Sequence, residues 1–335
     1  MRFERVRETL SCAFAPTVLS ALSLGNLFAC MADCASSSVS SDADTEAPAK
    51  HAFDNPCHAL AVGAAIYVAD HGNNRVEHID DWHVTDRVVA GKTSMEQMWP
   101  SQRVRSLGTA DSGSKLFRPI ALLVSGTNLY VAERASGRVT VFPLTHALGT
   151  GKAAVRTIGL GYGAAPGQLA HPCGLALHAG RLFVSEAGNH RLSTFNAATG
   201  AHLSCFGDDK AAALDNPTAV VVDDECGITV ASYCKHQLVR FSLEGAHKCS
   251  YAGSDDDPLH LPWGLALCRE KLVVSEHFGK LRLLRLASLE ALRVITIGMA
   301  GVSILKHVCL REDDGALLVC DSGQHCVLAV RGFTE

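Results

Sequence analysis

Apolar and polar positions alternate in short runs along most of the chain. "GLALH" (174–178), "RLFVSE" (181–186) and "RLSTF" (191–195) are three such runs in succession, separated by "HAG" and by the Gly/Asn turn "AGNH". Alternation with a period of two, in segments rich in β-branched and aromatic residues, predicts strands with one face or both buried. Gly- and Asn-rich breaks predict tight turns at positive φ. The same order of runs returns at "PWGLALCREKLVVSEHFGKLRLLRL", which starts at Pro262.

The pattern is a repeat. "IYVAD" ends at Asp70, "LYVAE" at Glu133, "LFVSE" at Glu186, "ITVAS" at Ser232, "LVVSE" at Glu276 and "LLVCD" at Asp321, at intervals of 63, 53, 46, 44 and 45 residues. Eleven or twelve residues before the second residue of each segment stands Pro56, Pro119, Pro172, Pro217 or Pro262, and in the sixth copy Lys306. Each copy reads as four strands, the fourth typified by "HLSCF", "HKCSY" and "RVITIG". Four short antiparallel strands in about 45 residues describe one blade of a β-propeller. A lone blade cannot bury both faces, so packing against its neighbours must make the core. The prediction is an all-β, six-bladed propeller over residues 53–335.

The connector "IGLGYGAAPGQLAHPCGLAL" (158–177) and the following "LFVSEAGNHRLSTF" resemble the NHL repeat family, named for an Asn-His-Leu element in the second turn. Asn189-His190 stands at that place, with Lys235-His236 and Gln324-His325 at the equivalent ones. The resemblance covers roughly residues 53–331 and implies a six-bladed fold used mostly as a binding platform. The pairs Asp70 with Arg75, Glu133 with Arg138 and Glu186 with Arg191 are family-like too, spaced so that a charge-assisted bond braces the turn. The last three copies have Gln237, Leu281 and Cys326 where the arginine is expected, so their turns need another brace.

A net charge of −4, with acidic runs at 223–225 and 255–257, gives no continuous basic patch and argues against nucleic acid as partner. The 13 cysteines are scattered, with no CxxC pair, which speaks against a zinc ribbon or a tight disulfide framework and for a reducing, cytoplasmic setting. Five turns carry His71, His190, His236, His277 and His325, taken as turn residues copied with their blades rather than a metal site.

The position after each blade proline should line the central channel: Cys57, Ile120, Cys173, Thr218, Trp263 and His307. Amidating lyases resemble this fold and hold zinc through histidines at such positions. Here only His307 matches and two of the three histidines are missing; Cys57 and Cys173 are the substitutes with which it would bind zinc in a lyase or hydrolase reading. The leading expectation is instead a non-catalytic platform without a cofactor, binding a protein partner. Its surface is drawn from the long connection "KTSMEQMWPSQRVRSLGTADSGSKLFR" (92–118), with Trp99, Arg103, Arg105 and Arg118, extended by His71, Arg75 and Trp263. That connection reads as an insertion the blades do not need. The missing outer strand of the sixth blade is expected from residues 36–53.

Residues 1–35 can be read two ways: a signal peptide, which would make the protein secreted, or a small helical segment. The latter faintly resembles an F-box and would make the protein a substrate-recognition adaptor of a ubiquitin ligase. Residues 36–52, with "SSSVSSDADTEAPAK", form a flexible linker.

Overall fold

The structure is a computed structural model. It describes residues 53–80, 82–90, 93–100, 104–109, 114–144, 154, 156–208, 213–297 and 303–334. The readings of residues 1–35 and 36–52, and Arg103, lie outside the described residues.

The chain folds as an all-β, six-bladed propeller with strands numbered in chain order. Blade 1 holds β1 (Pro56–Val62), β2 (Ala65–Asp70) and β3 (Arg75–Ile79). The hairpin β4 (Trp82–Ala90) and β5 (Thr93–Pro100) then interrupts it before its outer strand β6 (Val104–Leu107). Blade 2 is β7 (Pro119–Ser125), β8 (Asn128–Glu133), β9 (Arg138–Pro143) and β10 (Arg156–Ile158). Blade 3 is β11 (Pro172–His178), β12 (Arg181–Glu186), β13 (Arg191–Asn196) and β14 (His202–Phe206). Blade 4 is β15 (Pro217–Asp223), β16 (Gly227–Ser232), β17 (Gln237–Phe241) and β18 (His247–Tyr251). Blade 5 is β19 (Pro262–Cys268), β20 (Lys271–Glu276), β21 (Lys280–Arg285) and β22 (Ala291–Thr296). Blade 6 is β23 (Leu305–Leu310), β24 (Leu317–Asp321) and β25 (Cys326–Arg331), completed by β5 and then β4.

Successive first strands touch in a ring, and β23 meets β1 to close it. The core divides accordingly. Six apolar clusters each join two neighbouring blades, as when Phe183 of blade 3 packs with Val230 and Phe241 of blade 4. A seventh, with Cys57, Ile120, Cys173 and Trp263, fills the axis. The axis is tight because Gly174 and Gly264 sit where the next blade's backbone crowds in. A Cβ on Gly174 would stand 2.3 Å from the Thr218 carbonyl, and one on Gly264 2.5 Å from that of Lys306.

Closure differs from the expectation. The strand beside β25 is β5, in antiparallel register with Val327 opposite Met98 and Arg331 opposite Ser94. The segment 92–118 is therefore no dispensable loop, and the fourth-strand position expected of residues 36–53 is held by β5. Met95 packs into the cluster between blades 5 and 6, Met98 into that between blades 6 and 1. The hairpin hides what would be an open sheet edge, and removing 94–113 would strip a buried strand from two interfaces.

Candidate functional site

A repeated bracket builds the face on which the connectors and strand-two turns lie. In every blade the side chain ending strand two accepts the backbone N–H of the residue two places before the blade proline, or before Lys306 in blade 6. The six pairs are Asp54 to Asp70 (2.7 Å), Phe117 to Glu133 (2.9 Å), Ala170 to Glu186 (3.0 Å), Asp215 to Ser232 (2.9 Å), His260 to Glu276 (2.7 Å) and Ile304 to Asp321 (2.9 Å). The next residue takes positive φ although it is not glycine: Asn55, Arg118, His171, Asn216 and Leu261 lie between 47 and 51°. Such a conformation costs energy unless the surroundings hold it. At four junctions the preceding blade does so, by accepting that residue's N–H. Asn74 Oδ1 serves Arg118 (2.8 Å), His190 Nδ1 serves Asn216 (3.1 Å), His236 Nδ1 serves Leu261 (3.0 Å) and His325 Nδ1 serves Asn55 (3.1 Å). Gly137 and Gly279 occupy that turn position in blades 2 and 5.

The turn histidines thus fall into two classes. His190, His236 and His325 tie blade to blade. His71 and His277, directly after the strand-two acid, are buried at the axis. His71 Nδ1 donates to the Pro119 carbonyl at 3.2 Å. Burial, then the charges of Arg134, Lys306 and Arg118, pull its pKa down to about 3. His277 is held well below its usual value by burial and by Lys306. Deeper on the axis, His307 of blade 6 reaches blade 3, its Nε2 donating to the Cys173 carbonyl at 2.9 Å, and it stacks on His58 at 4.7 Å. Burial and then Lys306 bring His307 to about 4; burial and then His307 depress His58. All four rings are neutral at physiological pH.

Above them stands an aromatic and cationic group. Trp263 makes edge contacts with Tyr233 (5.2 Å) and lies 5.9 Å from His277. The Lys306 ammonium sits over the Trp263 ring, 3.5 Å from its centroid. Arg134 Nη1 lies 2.7 Å from Cys173 Sγ. Arg134 and Lys306 are 7% and 8% exposed, so two cations are largely withdrawn from water at the mouth of the ring. The carboxylates ending strand two turn the other way, onto the connectors.

Of the expected surface residues, the structure brings His71 and Trp263 to this group. Arg75 instead braces the blade 1 turn, with Nε 2.9 Å from Asp70. Arg118 is the positive-φ hinge before β7, and Arg105 lies on β6 opposite His78, paired with Asp80 at 2.7 Å. Trp99 belongs to β5 in blade 6, opposite His83 of β4. Cys57, Cys173 and His307 do line the axis. Cys57 Sγ donates to Asn55 O, and among the described residues no group of three His, Cys, Asp or Glu is placed to hold a metal. Sequence reasoning missed Arg134, Tyr233 and Lys306. The signals were the residue following the end of each strand two, and the lysine that breaks the proline series.

No protein-family profile matches the chain, and no curated protein matches it in sequence. Solved structures do share the fold. A streptogramin B lyase superposes with a TM-score of 0.58 at 10% identity, covering 84% of this chain and 95% of its own. Virginiamycin B lyase from Staphylococcus aureus gives 0.54 at 10%, covering 82% and 94%. A protein of unknown function from Bacteroides thetaiotaomicron gives 0.58 at 14%, covering 84% and 70%. At such identities the likeness establishes the propeller and nothing about chemistry. Among the described residues no helix is long and apolar enough to cross a membrane.

Proposed function

We propose that the protein is a non-catalytic binding platform of the NHL-repeat type, engaging a protein partner through the axial face. The observation that carries this reading is the group of Trp263, Tyr233, Lys306 and Arg134 at the mouth of a rigid ring. Aromatic and arginine side chains on a scaffold that moves little are the chemistry of interface hot spots, because little ordering is needed on binding. The turn histidines support the NHL reading by giving the family's signature position a job: an acceptor for the next blade.

The test compares proteins captured by the intact chain with those captured by Trp263→Ala and, as a control on an outer strand, Leu292→Ser. Loss of a partner set with the axial variant alone supports the platform. Equal capture by all three chains removes it. Metal analysis of the purified protein addresses the lyase or hydrolase reading, which requires a bound ion that disappears with His307→Ala.

A further inference from the structure

Several carbonyls around the axis already hold donors, whereas an indole N–H and an ammonium beside them have no anionic partner. The Pro119 carbonyl takes His71, the Cys173 carbonyl takes His307, the Pro262 and Trp263 carbonyls take Thr218 Oγ1, and the Lys306 carbonyl takes Ser275 Oγ. Yet Trp263 Nε1 is buried without an acceptor, and the Lys306 ammonium, which lies over the Trp263 ring, has no carboxylate within salt-bridge distance among the described residues. A buried donor without an acceptor costs free energy, and a buried cation costs more unless a counter-charge joins it. Arg134 adds a second positive charge near enough to depress His71. The four neutral histidines add no charge of either sign.

We infer that the axial mouth binds a small organic anion, one carboxylate or phosphate group on a flat apolar body. Its oxygens are received by Lys306 and Trp263 Nε1, and its body lies against Trp263 and Tyr233 at the mouth. Trp263 and Lys306 are 7% and 8% exposed, so the part they receive is small: a free anion, or the end of one side chain of a partner. This assignment rests on the axial face being the working surface, and it names what that surface selects.

Calorimetric titration of the full chain with benzoate, phenyl phosphate and the neutral benzyl alcohol tests it. One or both anions should bind one to one, at least about tenfold tighter than the alcohol, as a hydrogen bond to a charged group gives; whichever anion is preferred identifies the head group. Lys306→Met should erase that preference and Lys306→Arg should keep it. Trp263→Phe, which retains the ring and drops the N–H, should weaken the anions more than the alcohol. Thermal melting of each variant separates lost binding from lost folding. Equal binding of all three compounds, no binding of either anion, or anion affinity unchanged in Lys306→Met overturns the inference. Partner capture that still depends on Trp263 in that event leaves the platform reading standing, so the two fail separately.

Discussion

Blades 1 and 5 solve one problem with opposite charges. In each, a buried acid ends strand two and faces the first residue of strand three: Asp70 opposite Arg75, Glu276 opposite Lys280. Two residues further, at equivalent register positions, blade 1 has Glu77 and blade 5 has Arg282. In blade 5, Arg282 bonds Glu276 at 3.0 Å and Asp257 at 2.6 Å, and Lys280 reaches Asp257 at 2.9 Å, so two acids meet two bases. In blade 1, Arg75 alone serves both Asp70 (2.9 Å) and Glu77 (2.6 Å). Burial outweighs that shared attraction, and together with the neighbouring Asp70 it lifts Glu77 to about 7. The repeat thus fixes where the strand-two acid sits, while the strand-three position two residues on holds a guanidinium in blade 5 and a second buried acid in blade 1.

The sharpest way to break the comparison is Arg282→Met. It leaves Glu276 and Asp257 facing each other without the buried guanidinium, and removing one partner of a buried pair costs about 3–5 kcal/mol. Chemical denaturation should show that loss, and adding Glu276→Gln should recover part of it. No recovery would mean that Arg282 matters for its packing and not its charge.

Glu77→Gln probes the other blade, with an effect on the order of 3 kcal/mol. Glu77 titrates at about 7 when folded, above the ordinary 4.5. Its contribution is therefore complete below about pH 4.5 and lost as pH climbs through 7. The variant should match the intact protein near pH 4.5 and exceed it at pH 8. Only the acid limb should survive, from His71 and His307, whose lowered pKa values of about 3 and 4 remove stability as pH falls below 6.5. An identical gain at both ends of the range would remove the titration argument.

The smallest effect belongs to the tie between blades. His236→Ala should cost about 1 kcal/mol, the worth of one neutral hydrogen bond. Amide exchange at Leu261 should quicken more than at Asn216, which His190 still holds. Equal protection at both amides would show that the His236 acceptor is not needed there.

The strand-two segments and blade prolines made the six-bladed ring legible, because each copy repeats the same burial pattern. Counting residues from the acid was less dependable. The blade 5 turn is one residue shorter, so the place of Arg75 falls on Lys280 and not on Leu281, and the guanidinium that bonds Glu276 comes from Arg282, in register with Glu77. The axial group was half legible: His71 and Trp263 could be placed by their position in the repeat. Tyr233, Arg134 and Lys306 could not, since their meeting depends on ring closure bringing separate blades to one axis. Trp99 misled for a physical reason. A segment with an aromatic and several arginines looks like a loop until a distant strand pairs with it.

That pairing has a consequence in time. The strand that completes blade 6 is made early and its partner late; Gln97 and Cys326, which meet across the two strands, are 229 residues apart. At roughly 5–20 residues per second of synthesis, the hairpin must wait about 10 to 50 seconds for β25 to be made, with Met95 and Met98 denied their final neighbours. Such long-range pairings also slow folding from the denatured state. A chain stopped before Cys326 should therefore protect the amides of blades 2 to 4 while those of the hairpin exchange freely. During that wait, the cell holds a nearly finished ring with an open seam, and chaperones have something to recognise.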